Sequence, residues 1–287
     1  MFHVLRNTNF RLLWSVGMLS AMAEISEILV MGWLILKLDG TVWQVAMVGV
    51  SRTAVMFTMS LVAGALGDKF NRARIIQIVQ IAQLGLDSSV LVLLLSGNIQ
   101  PWHLYAVAGL RGGARSFDHT SCRSLMFDVV GPKYLVQAAS LSTMTYSSGK
   151  ILGPLLMGVL LQITGSPISA YIALALIHFA SLISALSVRG EFMHQILPNR
   201  PVIGTINEGL RFVFKSQPIL AVLLTSIFMN VVFQYTVFIP VVAEDYLHVG
   251  PGLMGLLGAA DGVGTCLLYT SDAADDTPCV DLGGRRI

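Results

Sequence analysis

The stretch Gly64–Arg74, "GALGDKFNRAR", joins two long apolar runs of the sequence. It has the order Gly-x-Leu-x-Asp-Lys-x-x-Arg-x-Arg, with Asp68 at the end of the first run and the basic residues just after it. Basic residues of this kind hold a loop on the cytoplasmic side of a membrane. A carboxylate at Asp68 can face the positive end of a neighbouring helix, and Gly64 permits close helix approach. The stretch therefore predicts a cytoplasmic turn between two membrane-spanning helices.

The composition of the whole chain agrees with a lipid environment. Hydrophobic residues make up 54% of the 287 residues, charged residues only 12%, and the mean hydropathy is +0.72. Soluble domains carry about 25% charged residues, so a soluble fold could not cover this much apolar surface. The formal net charge of +2 does not indicate nucleic-acid binding. We expect the lipid bilayer and a small-molecule substrate as partners, and no nucleic acid.

The apolar runs predict an all-α, polytopic membrane protein. A spanning helix needs about 20 mostly apolar residues. Predicted spans cover residues 11–37, 44–66, 75–95, 102–126, 139–163, 168–186 and 220–246, and an eighth begins at Gly252. Before the eighth span, every Lys and Arg outside the spans falls at the N-terminus or in alternate loops, which places the N-terminus in the cytoplasm of a multi-pass membrane protein. Residues 187–218 form the longest cytoplasmic connection, and the helical spacing of Val202, Ile206, Leu210, Val213 and Phe214 predicts an amphipathic surface helix there, with an ordinary linker helix as the alternative.

Eight ionisable residues lie near the middle of the predicted spans. They are Glu24, Glu27, Arg52, Asp87, Arg111, Arg115, Asp118 and Lys150. A charge at the bilayer centre costs about 2.5–3.5 kcal/mol or more, so these side chains must face a bundle interior or a watery cavity. They are our candidates for a substrate or proton pathway; the alternative is a set of buried ion pairs that merely fixes helix packing.

Two local patterns stand out among these charges. Arg115 and Asp118 form the best pair within one helix. Glu24 and Glu27 lie three residues apart on one helix face, and two neighbouring carboxylates share a proton most readily, so we favour this pair as the proton-coupling site. The sequence cannot show whether Lys150 meets either glutamate.

The loop signature Gly64, Leu66, Asp68, Lys69, Arg72 and Arg74 resembles that of the major facilitator superfamily. "LRNTNFRLLW", "FDHTSCRSLMFDVV" and the glycine-proline run of span five look like the bacterial efflux branch that includes the enterobactin (siderophore) exporter. The span-five motif comprises Gly149, Gly153, Pro154 and Gly158. Small residues there allow tight contact and the proline bends the helix, although ordinary small-residue packing has the same appearance. The chain departs from the family in two places: Arg111 lies one turn from the usual span-four arginine, and Thr120 replaces a common proline.

The resemblance implies a secondary transporter that works by alternating access, with Gly64, Asp68, Lys69, Arg72 and Arg74 as a gating motif. It implies a bacterial inner membrane protein, a monomer when complete, that uses a proton gradient and no cofactor to export small, partly apolar molecules. The expected organisation is a six-helix bundle (1–186), made of two inverted three-helix repeats, then a linker (187–218) and spans seven and partial eight of a second half (219–265). Such a piece is expected to be inactive alone.

Other classes fit the sequence less well. A seven-span receptor would lack the loop signature and usually places its N-terminus outside. An intramembrane enzyme would need catalytic or metal-binding residues, and no H-x-x-x-H pair or Ser/His motif occurs in a span, so we predict no enzyme activity and no metal. A non-transporting membrane protein is the remaining alternative.

The C-terminal stretch, residues 266–287, has a different character. "CLLYTSDAAD" is the translation of TGT CTC TTA TAC ACA TCT GAC GCT GCC GAC, the transposon-end adapter used for sequencing libraries, and the remaining residues fit a barcode and the rest of the adapter. We therefore expect this tail to be non-native, and the native sequence to stop near Gly264. On that interpretation Cys266 and Cys279 form neither a zinc site nor a disulfide, and Cys122 is the only native cysteine.

Overall fold

The computed structural model describes residues 4–67, 70–188, 204, 211–232 and 234–279, and within them the regular structure is helical, without a strand. The long helices are α1 (Thr8–Lys37), α2 (Val42–Gly67), α3 (Arg72–Leu95), α4 (Pro101–Val130), α5 (Leu135–Thr164), α6 (Pro167–Ser187), α7 (Gln217–Val232) and α8 (Pro251–Cys279). The prediction of an all-α polytopic membrane protein is confirmed. Most predicted spans begin and end within four residues of these helices.

The seventh span is less regular than predicted. Its helix α7 is followed by a 3-10 turn (Gln234–Phe238), a short α-helical turn (Ile239–Val241) and a π-helical turn (Val242–Tyr246). Pro240 lacks a backbone N–H and its ring clashes with the preceding turn, which accounts for the loss of regular α-helix around it. The predicted span over 220–246 agrees with the membrane-length helical segment Gln217–Tyr246, although its second half is not regular α-helix.

Six helical segments of the described chain are long and apolar enough to cross a membrane. The predicted fourth span does not qualify on these grounds: α4 has 30 residues but carries Arg111, Arg115, Asp118 and Arg123. It nevertheless packs between α2 and α3, because its charges turn inward to partners on other helices. Contacts with the other helices, rather than the hydropathy of α4 itself, therefore account for its position in the bundle.

Helix α1 lies at the centre of the bundle. In its most apolar window 78% of the residues are buried, against 22–39% for the other spans of the first half. It packs against α2, α4, α5 and α6. A helix that is surrounded by other helices is largely apolar on every side. The two glutamates within α1 can therefore be stabilised only by polar side chains of the neighbouring helices.

The first six helices pack in a symmetrical pattern. The close pair α1–α5 corresponds to α4–α2, and α1–α6 corresponds to α4–α3, when α1–α3 are exchanged with α4–α6. This is the pattern that two inverted three-helix repeats produce. In this pattern α1 and α4 occupy equivalent positions.

Glycines of span five set the closest helix contacts. A Cβ added at Gly149 would lie 2.8 Å from the Cβ of Ala21, and one at Gly153 would lie 2.5 Å from Oγ of Ser26, both on α1. Gly158 faces α8 instead, where its added Cβ would lie 2.8 Å from Cα of Gly255. The span-five motif therefore packs the first half internally and against the second half.

Two predicted segments fall partly outside the described residues. Of the expected amphipathic helix in the linker, the structure describes residue 204 and residues 211–215, which are helical. The tail is helical to Cys279, and residues 280–287 lie outside the described part.

Gly153→Ala is expected to destabilise the bundle. The added methyl group would press on the α1 backbone at Met22 and on Ser26, and overpacking of this kind costs about 1–3 kcal/mol. Thermal unfolding of the purified protein in detergent, followed by circular dichroism, measures the effect. Gly85→Ala is the matched control, since an added Cβ there meets nothing within 4 Å; equal stability of both variants would contradict the tight α1–α5 contact.

Candidate functional site

Seven of the eight predicted midplane charges come together between α1, α2, α3 and α4. They are joined by His178 from α6, which the sequence analysis did not select. We call this set the midplane cluster: Glu24, Glu27, Arg52, Asp87, Arg111, Arg115, Asp118 and His178. Lys150 lies apart from it. The prediction that these charges turn away from lipid agrees with this arrangement.

Arg111 is at the most buried point of the cluster. Its Nε lies 2.5 Å from Oε1 of Glu27, and its Nη2 donates a hydrogen bond to Asp87. Nδ1 of His178 lies 2.6 Å from the other oxygen of Asp87. The four side chains expose 5% of their surface or less. Each of the two carboxylates therefore depends on protein groups, since water cannot solvate it.

The neighbouring part of the cluster is built around Glu24. Its two oxygens lie 2.6 Å from Nη2 of Arg52 and 2.8 Å from Nη2 of Arg115. The hydroxyl of Tyr146 on α5 donates a hydrogen bond of 3.4 Å to the same carboxylate. Glu24 thus ties α1 to α2, α4 and α5.

The expected local pair of Arg115 and Asp118 is present but secondary. Nη1 of Arg115 lies 3.3 Å from Asp118, farther than Nη2 lies from Glu24. Gln80 of α3 links Asp118 to α1, because its amide nitrogen lies 3.4 Å from Oδ1 of Asp118 and 3.2 Å from Oγ of Ser20. Tertiary contacts therefore dominate over the pairing within the helix.

The two glutamates of α1 do not form the carboxylate pair that the sequence suggested. Glu24 is bound by Arg52 and Arg115, and Glu27 by Arg111, with no hydrogen bond between the two carboxylates among the described contacts. The reason is the number of guanidinium groups that α2 and α4 bring to this face of α1. A shared proton between Glu24 and Glu27 is not supported by this geometry.

A close approach of α2 and α4 makes these pairings possible. A Cβ at Gly112 would collide with the backbone of Arg52, so only glycine fits there. Ser116 adds a hydrogen bond of 2.8 Å to the carbonyl oxygen of Met56. Gly112 therefore lets α4 lie close enough to α2 for Arg52 and Arg115 to meet at Glu24.

The space inside the cluster is small. The cavity bounded by Ser20, Gln80, Gln83 and the cluster side chains offers about 20 Å³ to the centre of a water molecule. One water needs roughly 10–15 Å³ by this measure. The cluster thus has room for about one water and none for an organic molecule. Among the residues that the structure describes, no group of three His, Cys, Asp or Glu side chains could hold a metal ion.

Lys150 contacts helix α8 rather than the glutamates of α1. It forms an ion pair with Asp261 of α8, a residue that the sequence analysis left out. The ring of Tyr146 lies between Lys150 and the cluster, with its centroid 5.7 Å from Nζ of Lys150 and 5.7 Å from Cζ of Arg115. Tyr146 therefore connects the cluster to the α5–α8 contact.

The loop motif is described only in part. Asp68 and Lys69 lie outside the described residues. Arg72 forms an ion pair of 2.7 Å with Asp128 at the end of α4, while Arg74 is exposed. An added Cβ at Gly64 would meet no described atom within 4 Å, so the expected close helix approach at this glycine is absent here.

Two of the residues that sequence reasoning missed gave only a weak signal in the sequence. His178 is a single histidine in an otherwise apolar span, and Gln80 is an uncharged amide; neither type signals a buried ion network by itself. Asp261 carried the stronger signal, because an acidic residue within a predicted span is as costly as the eight that were selected.

A comparison with known families agrees with the helical membrane fold. A family model described as "transmembrane secretion effector", from the major facilitator superfamily, matches residues 1–273. The chain belongs to this family. The protein is accordingly a multi-pass membrane transporter of the major facilitator superfamily. A search of curated proteins finds no match.

Arg111→Gln is expected to destabilise this transporter by about 3–5 kcal/mol, because it leaves Glu27 and Asp87 buried without their guanidinium partner. Denaturant unfolding in detergent micelles measures the loss. The double variant Arg111→Gln/Asp87→Asn should recover part of it, since one uncompensated charge is removed.

Arg74→Gln is the control, as this arginine is exposed on α3 and should leave the unfolding free energy unchanged. A loss at Arg111 no larger than the loss at Arg74 would show that Arg111 does not hold the cluster together.

Proposed function

We propose that the protein is a proton-coupled secondary transporter that exports small, partly apolar molecules by alternating access. The observation that carries the proposal is the midplane cluster, in which charged and titratable groups are held away from lipid around a water-sized cavity. The family supports membrane transport; the direction, the coupling ion and the siderophore-like or drug-like substrate are our proposals. So are the bacterial inner membrane, the cytoplasmic N-terminus and a monomeric complete transporter.

Charge counting supports proton coupling. The cluster contains four carboxylates, on Glu24, Glu27, Asp87 and Asp118, and three guanidinium groups, on Arg52, Arg111 and Arg115. With His178 neutral, one negative charge remains uncompensated, and a buried net charge is strongly unfavourable. A single proton neutralises the cluster, and no further ion is needed.

The contacts at Asp87 and Glu27 favour a position for this proton. Nδ1 of His178 lies 2.6 Å from the carboxylate of Asp87, so these two groups can share a proton. Arg111 binds the same carboxylate. Glu27 has one guanidinium partner among the described residues, whereas Glu24 has two. We therefore assign the proton to the group formed by His178, Asp87 and Glu27 and give Glu24 a structural role.

Contacts between the two halves are compatible with alternating access. On the side that the basic loops place outside, α5 meets α8 at Gly158 and Gly255, and Gln162 accepts a hydrogen bond of 3.2 Å from the backbone of Gly252. These contacts join α5 to α8 on that side. We further propose that residues 266–287 derive from adapter DNA, because their sequence fits its translation.

Replacing the proton-binding groups should uncouple transport. Proton and substrate binding are linked reciprocally, typically by about 5–150-fold in affinity. Glu27→Gln and His178→Gln should therefore lower export driven by a pH gradient, while Glu24→Gln should act mainly on stability. Export of an amphipathic dye from proteoliposomes, using the full reading frame recovered from the source DNA, measures this with and without an uncoupler.

Asp39→Asn is the matched control, because it makes the same carboxylate-to-amide change at an exposed loop residue whose φ of 57° asparagine tolerates. Export that is insensitive to the uncoupler, and unchanged in both the Glu27 and His178 variants, would refute proton coupling through the cluster.

A further inference from the structure

The ion pair of Lys150 and Asp261 differs from the pairs of the midplane cluster in two respects. It joins α5 of the first half to α8 of the second half, whereas the cluster pairs lie within the first half. Its side chains are also somewhat more open, with exposed fractions of 17% for Lys150 and 23% for Asp261, against 0–5% around Arg111 and 9–15% for the pairs of Glu24. A ligand between the halves could therefore reach this pair without entering the closed space around Arg111.

Aromatic groups flank the pair. The ring of Tyr146 lies beneath Nζ of Lys150, and the hydroxyl of Tyr235 forms a hydrogen bond with Asp261. An ammonium group beside an aromatic face offers both a charge and an apolar surface. This combination fits a molecule with an anionic head and an apolar body.

The pair lies beside a tight contact between the two halves. An added Cβ at Gly258 would lie 3.1 Å from Pro154, and one at Gly262 would lie 3.0 Å from the backbone of Ile151 and of Ser147. Movement of α8 away from α5 must therefore separate Lys150 from Asp261. This step rests on the proposed alternating access.

The two partners would not be affected equally by separation. Asp261 retains Tyr235 as a hydrogen-bond donor, on a segment of the same half. Lys150 has no other carboxylate partner among the ion pairs of the described residues, and the nearby Arg115 adds positive charge beyond Tyr146. An uncompensated ammonium near the membrane centre is costly, so the site exposed on separation favours an anion.

From this asymmetry we infer that Lys150 binds the carboxylate or other anionic group of an amphipathic organic acid, and that Asp261 occupies the same position when no substrate is bound. The substrate class is thus narrowed from partly apolar molecules to organic anions with an aromatic or apolar body. Asp261 competes with the substrate, because its ion pair with Lys150 must break before the anion binds. This competition lowers the apparent affinity for the anion.

Binding of three matched probes tests this inference. Phenylacetate, the neutral phenylacetamide and the cationic phenethylammonium have similar bodies and differ in charge. Isothermal titration calorimetry on the whole chain in nanodiscs should show tighter binding of phenylacetate than of the other two. Preferential binding of phenethylammonium, abolished by Asp261→Asn, would instead make Asp261 a cation site and overturn the inference.

Variants at the two partners should have opposite effects. Lys150→Gln should weaken phenylacetate binding by about tenfold or more, because a close charge partner is lost, and Lys150→Arg should retain it. Asp261→Asn should strengthen binding, since it removes the internal competitor. If the pair were only structural, both neutral variants would have the same effect on binding, and that result would overturn the inference.

Lys37→Gln is the matched control. Lys37 also pairs with a carboxylate of the second half, Glu244, at 2.5 Å, but its side chain is 50% exposed at the helix end, so phenylacetate binding should stay unchanged. An equal loss of phenylacetate affinity in the Lys37 and Lys150 variants would show that the effect comes from general surface charge. That result would overturn the inference. Lys150→Arg and Asp261→Asn keep the test informative if Lys150→Gln fails to fold.

Transport of the neutral probe separates this inference from the proposed function. Proton-dependent export of phenylacetamide by the full reading frame, without a preference for phenylacetate in the binding assay, would overturn the anion site and leave proton coupling standing. Preferential phenylacetate binding without any proton-dependent export would support the anion site and refute the coupling.

Discussion

The ion contacts of Arg111 with Glu27 and Asp87 impose the constraint on which the bundle depends. Charges within a bilayer have no bulk water to solvate them, so each must find a partner on another helix. Arg111 on α4 meets this requirement for one carboxylate on α1 and one on α3. The three helices are thereby fixed in position and rotation, because any slip would leave a charge without a partner.

The same constraint accounts for the glycines. A guanidinium group can bridge two helices only if their backbones lie close together, and Gly112 allows this where α4 crosses α2 at Arg52. Gly149 and Gly153 do the same where α5 crosses α1, near the tyrosine that binds Glu24. Small residues and buried charges are thus two parts of one arrangement, in which close packing brings the ion partners within reach.

The groups around Arg111 and the pair of Lys150 and Asp261 differ in how far they are exposed. The groups around Arg111 leave no room for an organic molecule, and we propose that they change only by the gain or loss of a proton. The pair of Lys150 and Asp261 crosses the boundary between the halves and is partly exposed. Tyr146 lies between them and contacts both, through the hydroxyl at Glu24 and the ring face at Lys150. A change in the charge of the cluster would therefore affect the contact between α5 and α8 through Tyr146.

The sequence by itself determined that this is a helical membrane protein, since runs of about 20 apolar residues have few alternatives to spanning a bilayer. It also identified the buried charges, because an ionisable residue within a span is conspicuous, although it overlooked Asp261 and His178. It could not assign partners: Glu24 and Glu27 look like a pair along the helix, yet arginines from α2 and α4 separate them. Only the tertiary structure decided which acid meets which base, because every strong contact joins different helices, and their approach depends on packing that no local pattern records.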